Sequence, residues 1–261
     1  MGRPPEGLPD WRDAAAYARL LRASRTGFAW EWLRRNPAYR RAAKAAAPVR
    51  TDRPATIVAA DPRAAPFGLH AFEAPDAPVP FARPVWTRGV LPRILEARID
   101  PGGADDDRFD LARLDRLATI VQAQGPEHLL LSDGYRAVRM DVIAGTLLRG
   151  PALLRYELHG FSDVDGPLLA LRRLLALWRS GRFSQLLHPL EARAHRWIQM
   201  LRAHDALVCG ASQREIAGEL LSTEAAGVRW RVNAPSIRSR VQRLVRGARR
   251  MASGGQCSLL R

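Results

Sequence analysis

Ala211-Ser212-Gln213-Arg214-Glu215-Ile216-Ala217-Gly218-Glu219-Leu220-Leu221, followed by Asn233-Ala234-Pro235-Ser236-Ile237-Arg238-Ser239-Arg240-Val241-Gln242-Arg243-Leu244-Val245-Arg246-Gly247-Ala248-Arg249-Arg250, decides how this chain is read. The first segment predicts a short helix. Ser212 stands at the N-cap and Glu215 three positions later completes a capping-box pattern. Ile216, Ala217, Leu220 and Leu221 supply its packing face. The second segment predicts another helix, with Asn233 as cap and Pro235 near its start. Ile237, Val241, Leu244, Val245 and Ala248 recur at helical spacing and form an apolar stripe, and Ser236, Ser239, Arg240, Arg243, Arg246 and Arg250 populate the rest of the surface. Two such helices are the sequence form of a helix-turn-helix unit. The connection Thr223–Val232 is long for that motif, and Trp230 is expected to anchor it.

A helix of this kind has a hydrophobic anchor and a cationic strip able to enter the major groove. Arginines neutralise phosphates and pair bidentately with guanine edges. The candidate DNA contacts are Ser212, Gln213 and Arg214 at the entrance of the first helix, Arg229 and Arg231 in the connection, and Ser236, Arg238, Ser239, Arg240, Arg243, Arg246 and Arg250 along the second. From Ala225 to the last residue there are nine arginines and no acidic residue.

Charge elsewhere supports a basic C-terminal module. The 261 residues carry a formal net charge of +15, and Lys44 is the one lysine. Residues 1–50 hold 11 basic and 4 acidic side chains, residues 51–180 hold 16 and 17, and residues 181–261 hold 14 and 5. The excess is confined to the two ends. A uniform bias toward arginine would not produce that distribution. We therefore divide the chain into an N-terminal helical module (1–50), a central α+β region (51–180) and a helical DNA-binding domain (181–261).

In the N-terminal module Asp10 is placed to cap a helix carrying Trp11, Ala14 or Ala15, Ala18 and Leu21 on one face. Phe28, Trp30, Trp32 and Leu33 belong to a second helix that Asn36-Pro37 interrupts. Pro37 opens a third. The tryptophans read as a packing stripe. Arg34, Arg35, Arg40, Arg41 and Lys44 are available either as a solvated face or as phosphate contacts.

The middle is less periodic. Ile57–Ala60, Val85-Trp86 and Ala152–Leu158 predict short strands, and Asp110–Ile120 predicts a short helix. Glu127–Val142 reads as a hairpin turning at Asp133-Gly134, with Tyr135, Ala137, Arg139 and Asp141 alternating against Arg136, Val138, Met140 and Val142. Gly102-Gly103 before Asp105-Asp106-Asp107 is an exposed turn, since consecutive acids lack the spacing of a calcium loop. Val164–Trp178 predicts an amphipathic helix closed by Gly181, and Leu190, Ala194, Trp197, Leu201 and Val208 predict a long supporting helix. The expected fold class is α+β, mainly helical, with a small central β-containing region and a C-terminal helix-turn-helix-like domain.

Two stretches carry family resemblances. Pro9-Asp10-Trp11-Arg12 with Phe28-Ala29-Trp30-Glu31-Trp32-Leu33-Arg34-Arg35-Asn36-Pro37-Ala38-Tyr39-Arg40 resembles the N-terminal signature of a bacterial family of transcriptional-regulator domain proteins. Gln213-Arg214-Glu215-Ile216-Ala217, Trp230, Ser236-Ile237-Arg238-Ser239-Arg240-Val241, Arg243-Leu244-Val245 and Ala248-Arg249-Arg250-Met251 resemble the RovC-like DNA-binding domain of transcription factors associated with type VI secretion. That family commonly closes with Gly-Gly-aromatic-Arg-x-Leu-Leu. Here Gly254-Gly255-Gln256-Cys257-Ser258-Leu259-Leu260 keeps the glycines and leucines and lacks the aromatic residue and the arginine. The resemblances imply a bacterial transcription regulator.

Other classes find little support. Cys209 and Cys257 define neither a disulfide framework nor a thiolate metal site, so a reducing, cytoplasmic setting is expected. No signal-peptide core and no run of about 18 apolar residues is present, so no membrane partner is expected. His195 and His204 lack the His-Glu-x-x-His pattern, and no phosphate loop or nucleophile elbow occurs. An enzyme would have to bring together scattered acids such as Glu127, Asp133 and Asp141. The reading is a non-enzymatic, sequence-specific DNA-binding regulator with no cofactor or metal. Its expected partners are double-stranded DNA, further copies of the chain, and RNA polymerase. The alternatives are a DNA-binding accessory protein of a mobile element and a protein-interaction module with basic ends.

Overall fold

The structure, a computed structural model, describes residues 7–46, 50–52, 55–100, 107–221 and 235–261. Gly102–Asp106, Thr223–Val232 with Arg229 and Trp230, and Asn233 therefore lie outside the described residues, as does Arg231. The chain packs as two compact units, one formed by Met1–Pro37, Pro75–Val79 and Leu190–Leu259, the other by Ala38–Ala74, Pro80–Pro189 and Leu260–Arg261. Among the described residues no helix is long and apolar enough to cross a membrane.

The first unit is helical. Its elements are α1 (Ala14–Ala18), α2 (Arg25–Leu33), α5 (Ala194–Val208), α6 (Gln213–Leu220) and α7 (Pro235–Ala252). Asp13, not Asp10, caps α1 by accepting the Ala15 amide at 2.9 Å. Asp10 instead accepts the amide of Arg12. Ser24 caps α2, in which every residue from Phe28 to Leu33 is buried. The packing stripe expected of the tryptophans thus gives way to a segment, Phe28–Leu33, covered all round, while Arg25 at the helix start is exposed. Phe28 meets Trp197 of α5 edge to face at 5.0 Å, and Trp32 meets His204 at 5.5 Å. Leu190 lies outside α5 and is 72% exposed, so the supporting helix starts four residues later than its apolar spacing predicts.

The polar core of this unit joins residues remote in sequence. Asp205 of α5 accepts a bidentate pair from Arg35 Nε and Nη2, at 2.8 and 2.9 Å, and the Tyr17 hydroxyl at 2.6 Å. Arg35 Nη1 also donates to Glu31 Oε2 at 2.6 Å, and Arg34 Nε donates to the same oxygen at 2.8 Å. The remaining Glu31 oxygen accepts the Val79 amide. Two carboxylates and two guanidiniums are balanced and hydrogen-bonded, as burial of charge demands. Burial alone would raise the Asp205 carboxyl, but Arg35, His204 and Tyr17 outweigh it and hold it well below the usual range. Glu31 is likewise held low against its burial by Arg35 and Arg34. Arg34 and Arg35 are therefore core residues and not phosphate contacts, because their side chains are sealed from solvent.

The second unit contains α3 from Ala38 onward (the helix spans Pro37–Ala46) and α4 (Asp165–Ser180), with one seven-stranded mixed sheet. The strands are β1 (Arg50–Asp52), β2 (Thr56–Ala59), β3 (Leu95–Asp100), β4 (Ala118–Gln122), β5 (Glu127–Ser132), β6 (Ala137–Ala144) and β7 (Leu153–Glu157). Their order is β1-β2-β4-β5-β6-β3-β7. The β2–β4 and β3–β6 pairs are parallel and the others antiparallel. The sheet is larger than the short-strand reading suggests. Residues 111–117 form a 3-10 segment, after which Ala118–Gln122 continue as strand where a helix to Ile120 was expected.

Both faces of the central strands are covered. On one face Leu95, Ile120, Leu129, Val138, Met140 and Val142 meet Ala170, Leu174 and Leu177 of α4. On the other, Val121 and Leu130 pack with Val58, Ala71 and Val85. The β5–β6 hairpin forms as expected, but its loop is four residues, Asp133–Arg136, closed by the Ser132↔Ala137 pair. Gly134 adopts φ 94°, and a Cβ there would lie 1.9 Å from the Pro80 carbonyl oxygen, so only glycine fits this turn. Gly181 ends α4 in the left-handed conformation at φ 66°, as its position predicts.

Candidate nucleic-acid interface

The α6–α7 pair follows its sequence pattern closely. Ser212 Oγ accepts the Glu215 amide, and Glu215 Oε2 accepts both the Ser212 amide and the Ser212 hydroxyl at 2.8 Å. The capping box is complete. It also keeps the Glu215 carboxyl below its usual range, through the Ser212 backbone bond first and the side-chain bond second. Ser212 thereby commits its hydroxyl proton to the cap, and a carboxylate stands at the helix entrance. That chemistry does not suit a phosphate contact from the Ser212 hydroxyl. Gln213 is half-buried and Arg214 is exposed.

On α7, Ile237, Val241, Val245, Ala248 and Met251 are buried, so the predicted apolar stripe is the packed face. The Ile, Val and Met side chains each contribute about 1.5–3 kcal/mol of hydrophobic stabilisation at most, and Ala248 less. The helix packs on α5 and α6. Gly247 allows the close approach to α5, since a Cβ there would meet Met200 Cε at 3.0 Å. Ser236, Arg238, Ser239, Arg240, Arg243, Arg246 and Arg250 are all exposed. At 100° per residue, Ser239, Arg243, Arg246 and Arg250 fall on one strip opposite the stripe, with Arg240 and Ser236 along one border. Arg238 lies on the opposite flank with Arg249, an exposed arginine that the sequence reading did not assign. Its signal was present, because it belongs to the same basic helix.

Among the described residues, none of these six α7 guanidiniums pairs with a carboxylate. The contrast with Arg34 and Arg35 is physical. Those spend their charge on internal acids, whereas the α7 arginines keep theirs for solvent or a ligand. Eighteen residues of α7 extend about 27 Å, enough to follow a groove over several base pairs. Arg229 and Arg231 cannot be placed on this surface, because they lie outside the described residues.

The scattered acids do not assemble a catalytic constellation. Glu127 binds the Leu147 amide at 2.8 Å and the Thr146 hydroxyl. Asp133 holds the hairpin loop through the Tyr135 and Arg136 amides. Asp141 binds His128 Nδ1 at 2.7 Å and Arg139 Nη2 at 2.8 Å. His70, His128 and Asp141 do offer three ligand-type atoms within 4.8 Å of one another. However, the two imidazoles stack at 3.4 Å with planes 19° apart, which keeps their in-plane lone pairs from converging on one ion. Arg139 already neutralises the carboxylate. His128, Asp141 and Arg139 form a hydrogen-bonded polar core, on which His70 stacks with its Nε2 buried and without a hydrogen-bond partner among the described residues. Burial, then His128 and Arg139, lower His70 to about 4. Burial opposes ionisation of Asp141, but the His128 hydrogen bond and Arg139 bring it down to about 2.

An exposed arginine face on a packed helix, preceded by a capped helix, is an arrangement that known DNA-binding folds share. Residues 162–261 match the RovC DNA-binding domain family, described as a T6SS transcription factor DNA-binding domain. Residues 10–69 match a proteobacterial transcriptional regulator-like domain. No curated protein matches the chain. The RovC-type match takes in α4 and all of α5, α6 and α7, and both matches agree with the resemblances carried by the sequence motifs. Together they support a DNA-binding regulator and point away from catalysis.

Proposed function

We propose that this protein is a sequence-specific transcriptional regulator that reads duplex DNA with the exposed face of α7. The observation that carries the reading is the set of α7 arginines that face solvent without a carboxylate partner among the described residues, on a helix whose other side is fixed in a core. Arg240, Arg243, Arg246 and Arg250 supply groove and phosphate contacts, with Ser236, Arg238 and Ser239 toward the helix start. Gln213 and Arg214 approach the backbone from α6, Ser212 organises that entrance, and Arg229 and Arg231 add charge from the connection. Residues 181–261 are the DNA-binding domain on this reading, with 1–50 and 51–180 as regulatory and supporting modules.

The mechanism needs no bond chemistry and no cofactor. Promoter binding places or excludes RNA polymerase in a cytoplasmic setting. Self-association would pair two half-sites and raise effective affinity. Genome-wide occupancy tests this. Recovery of a shared site that binds more tightly than its scrambled counterpart at physiological salt is expected. Equal binding to both would instead favour an accessory protein of a mobile element, and no binding to either would favour a protein-interaction role.

A further inference from the structure

The basic surface does not stop at the last turn of α7. After α7 the chain folds back as a 3-10 turn, Gly255–Leu259, in which Gln256 and Leu259 are buried. Gly255 lies hard against Arg250. A Cβ at Gly255 would sit 2.6 Å from the Arg250 carbonyl oxygen and 3.4 Å from its Cγ. The tail is closed internally by the Ser258 hydroxyl donating to the Gly255 carbonyl at 2.7 Å. It is tied at the other end to α2, because Arg25 Nη2 donates to the Ser258 carbonyl at 3.2 Å. Arg250, Gly255, Ser258 and Arg25 thus form a contiguous chain of contacts within one compact unit. Arg25 and Arg250 are both exposed, and neither pairs with a carboxylate among the described residues.

Arg25 belongs to the segment matched as regulator-like, not to the region matched as DNA-binding. Its guanidinium is nevertheless held one short turn from the end of α7. Anchoring one nitrogen on a backbone carbonyl orients the group and leaves its other donors for a ligand. The partner that fits an anchored, unneutralised Arg25 guanidinium near the end of a basic helix is a polyanion with regularly spaced charges.

We infer that Arg25 is a DNA-backbone contact, and that the α2 entrance and the α7 end form one continuous phosphate-binding surface. The inference rests on the reading of α7 as the DNA-binding helix. Arg25 contacts phosphate and therefore contributes affinity and salt dependence without sequence discrimination.

The test uses the full chain with Arg25→Gln, with Arg116→Gln as a control that removes an exposed charge from the other unit. Binding to one recovered duplex and to a scrambled duplex is followed from 0.05 to 0.3 M salt (about the range in which phosphate contacts dominate). For R25Q the slope of log K against log salt should become shallower by about 0.9, one phosphate's worth. Affinity should fall severalfold and equally on both duplexes. R116Q should leave the slope unchanged. An unchanged slope for R25Q, or the same loss in R116Q, would overturn the inference while leaving the role of α7 standing. Failure of the unaltered protein to bind duplex DNA would overturn both.

Discussion

Asp205 shows how one residue can hold a unit together. It gathers Tyr17 and Arg35 from the N-terminal segment onto α5, and its charge is compensated inside the core. Removing the charge leaves Arg35 buried with a poorer partner. We expect Asp205→Asn to destabilise this unit by about 3–5 kcal/mol, the range for breaking a buried pair. Denaturant unfolding measures it, and an unchanged midpoint would show that the network contributes nothing. In the second unit, where burial also lowers His188, His70 and Asp141 contribute to the acid response. Both are depressed in the folded state, so the stability each contributes is present above its ordinary value and is lost as pH falls toward the folded one. For His70 that window runs from 6.5 down to about 4, and for Asp141 from 3.8 down to about 2. The Asp141 share is about 2 kcal/mol. Stability should therefore begin to fall below pH 6.5, and His70→Gln should flatten the upper part of the curve. A variant with the same pH profile as the native chain would exclude His70 as its source.

At the level of elements, the α6 capping box is the clearest case of local sequence dictating local structure. Ser212→Ala should cost about 1 kcal/mol, read as faster amide exchange in α6, whereas undisturbed exchange would mean the cap is dispensable. Helices of this kind were legible because their signals are local. Ser212 and Glu215, the α7 stripe and Gly181 each act within one or two turns. The sheet was legible only in pieces. β2 pairs with β4 and β3 with β6 across long stretches of chain, and no local period encodes such partners. β5 and the middle of β6 are buried on both faces, so Arg139 and Asp141, which alternation sets against the apolar Val138, Met140 and Val142, lie with His128 in a second core. Arg34 and Arg35 were ambiguous for the same reason. Arg34 pairs with the nearby Glu31, but Asp205, the second acid partner of Arg35, lies 170 residues beyond it, and a basic run looks solvated until that partner is found. The candidate site fared differently. Its apolar and cationic faces could be separated from spacing alone, whereas the contribution of Arg25 required the fold-back of the tail.

Across the whole molecule, charge is sorted by use. The chain's net charge is +15. Among the described residues of the first unit, the buried Arg34 and Arg35 are neutralised by Glu31 and Asp205 and the buried Arg202 lies 3.6 Å from Glu219, whereas the exposed arginines of α7 have no carboxylate partner. Uncompensated surface arginine is unfavourable for a compact chain unless a polyanion shares the surface. On this account duplex DNA is that polyanion and α7 is its docking element. The most direct test compares the native chain with an Arg240→Gln/Arg243→Gln double variant on a recovered site, by fluorescence anisotropy at physiological salt, with thermal unfolding run alongside. The account predicts a loss of at least tenfold in affinity, as removal of contacts worth about 1–3 kcal/mol each implies, with the unfolding transition unmoved because both side chains are exposed. Undiminished binding by a folded double variant would contradict it.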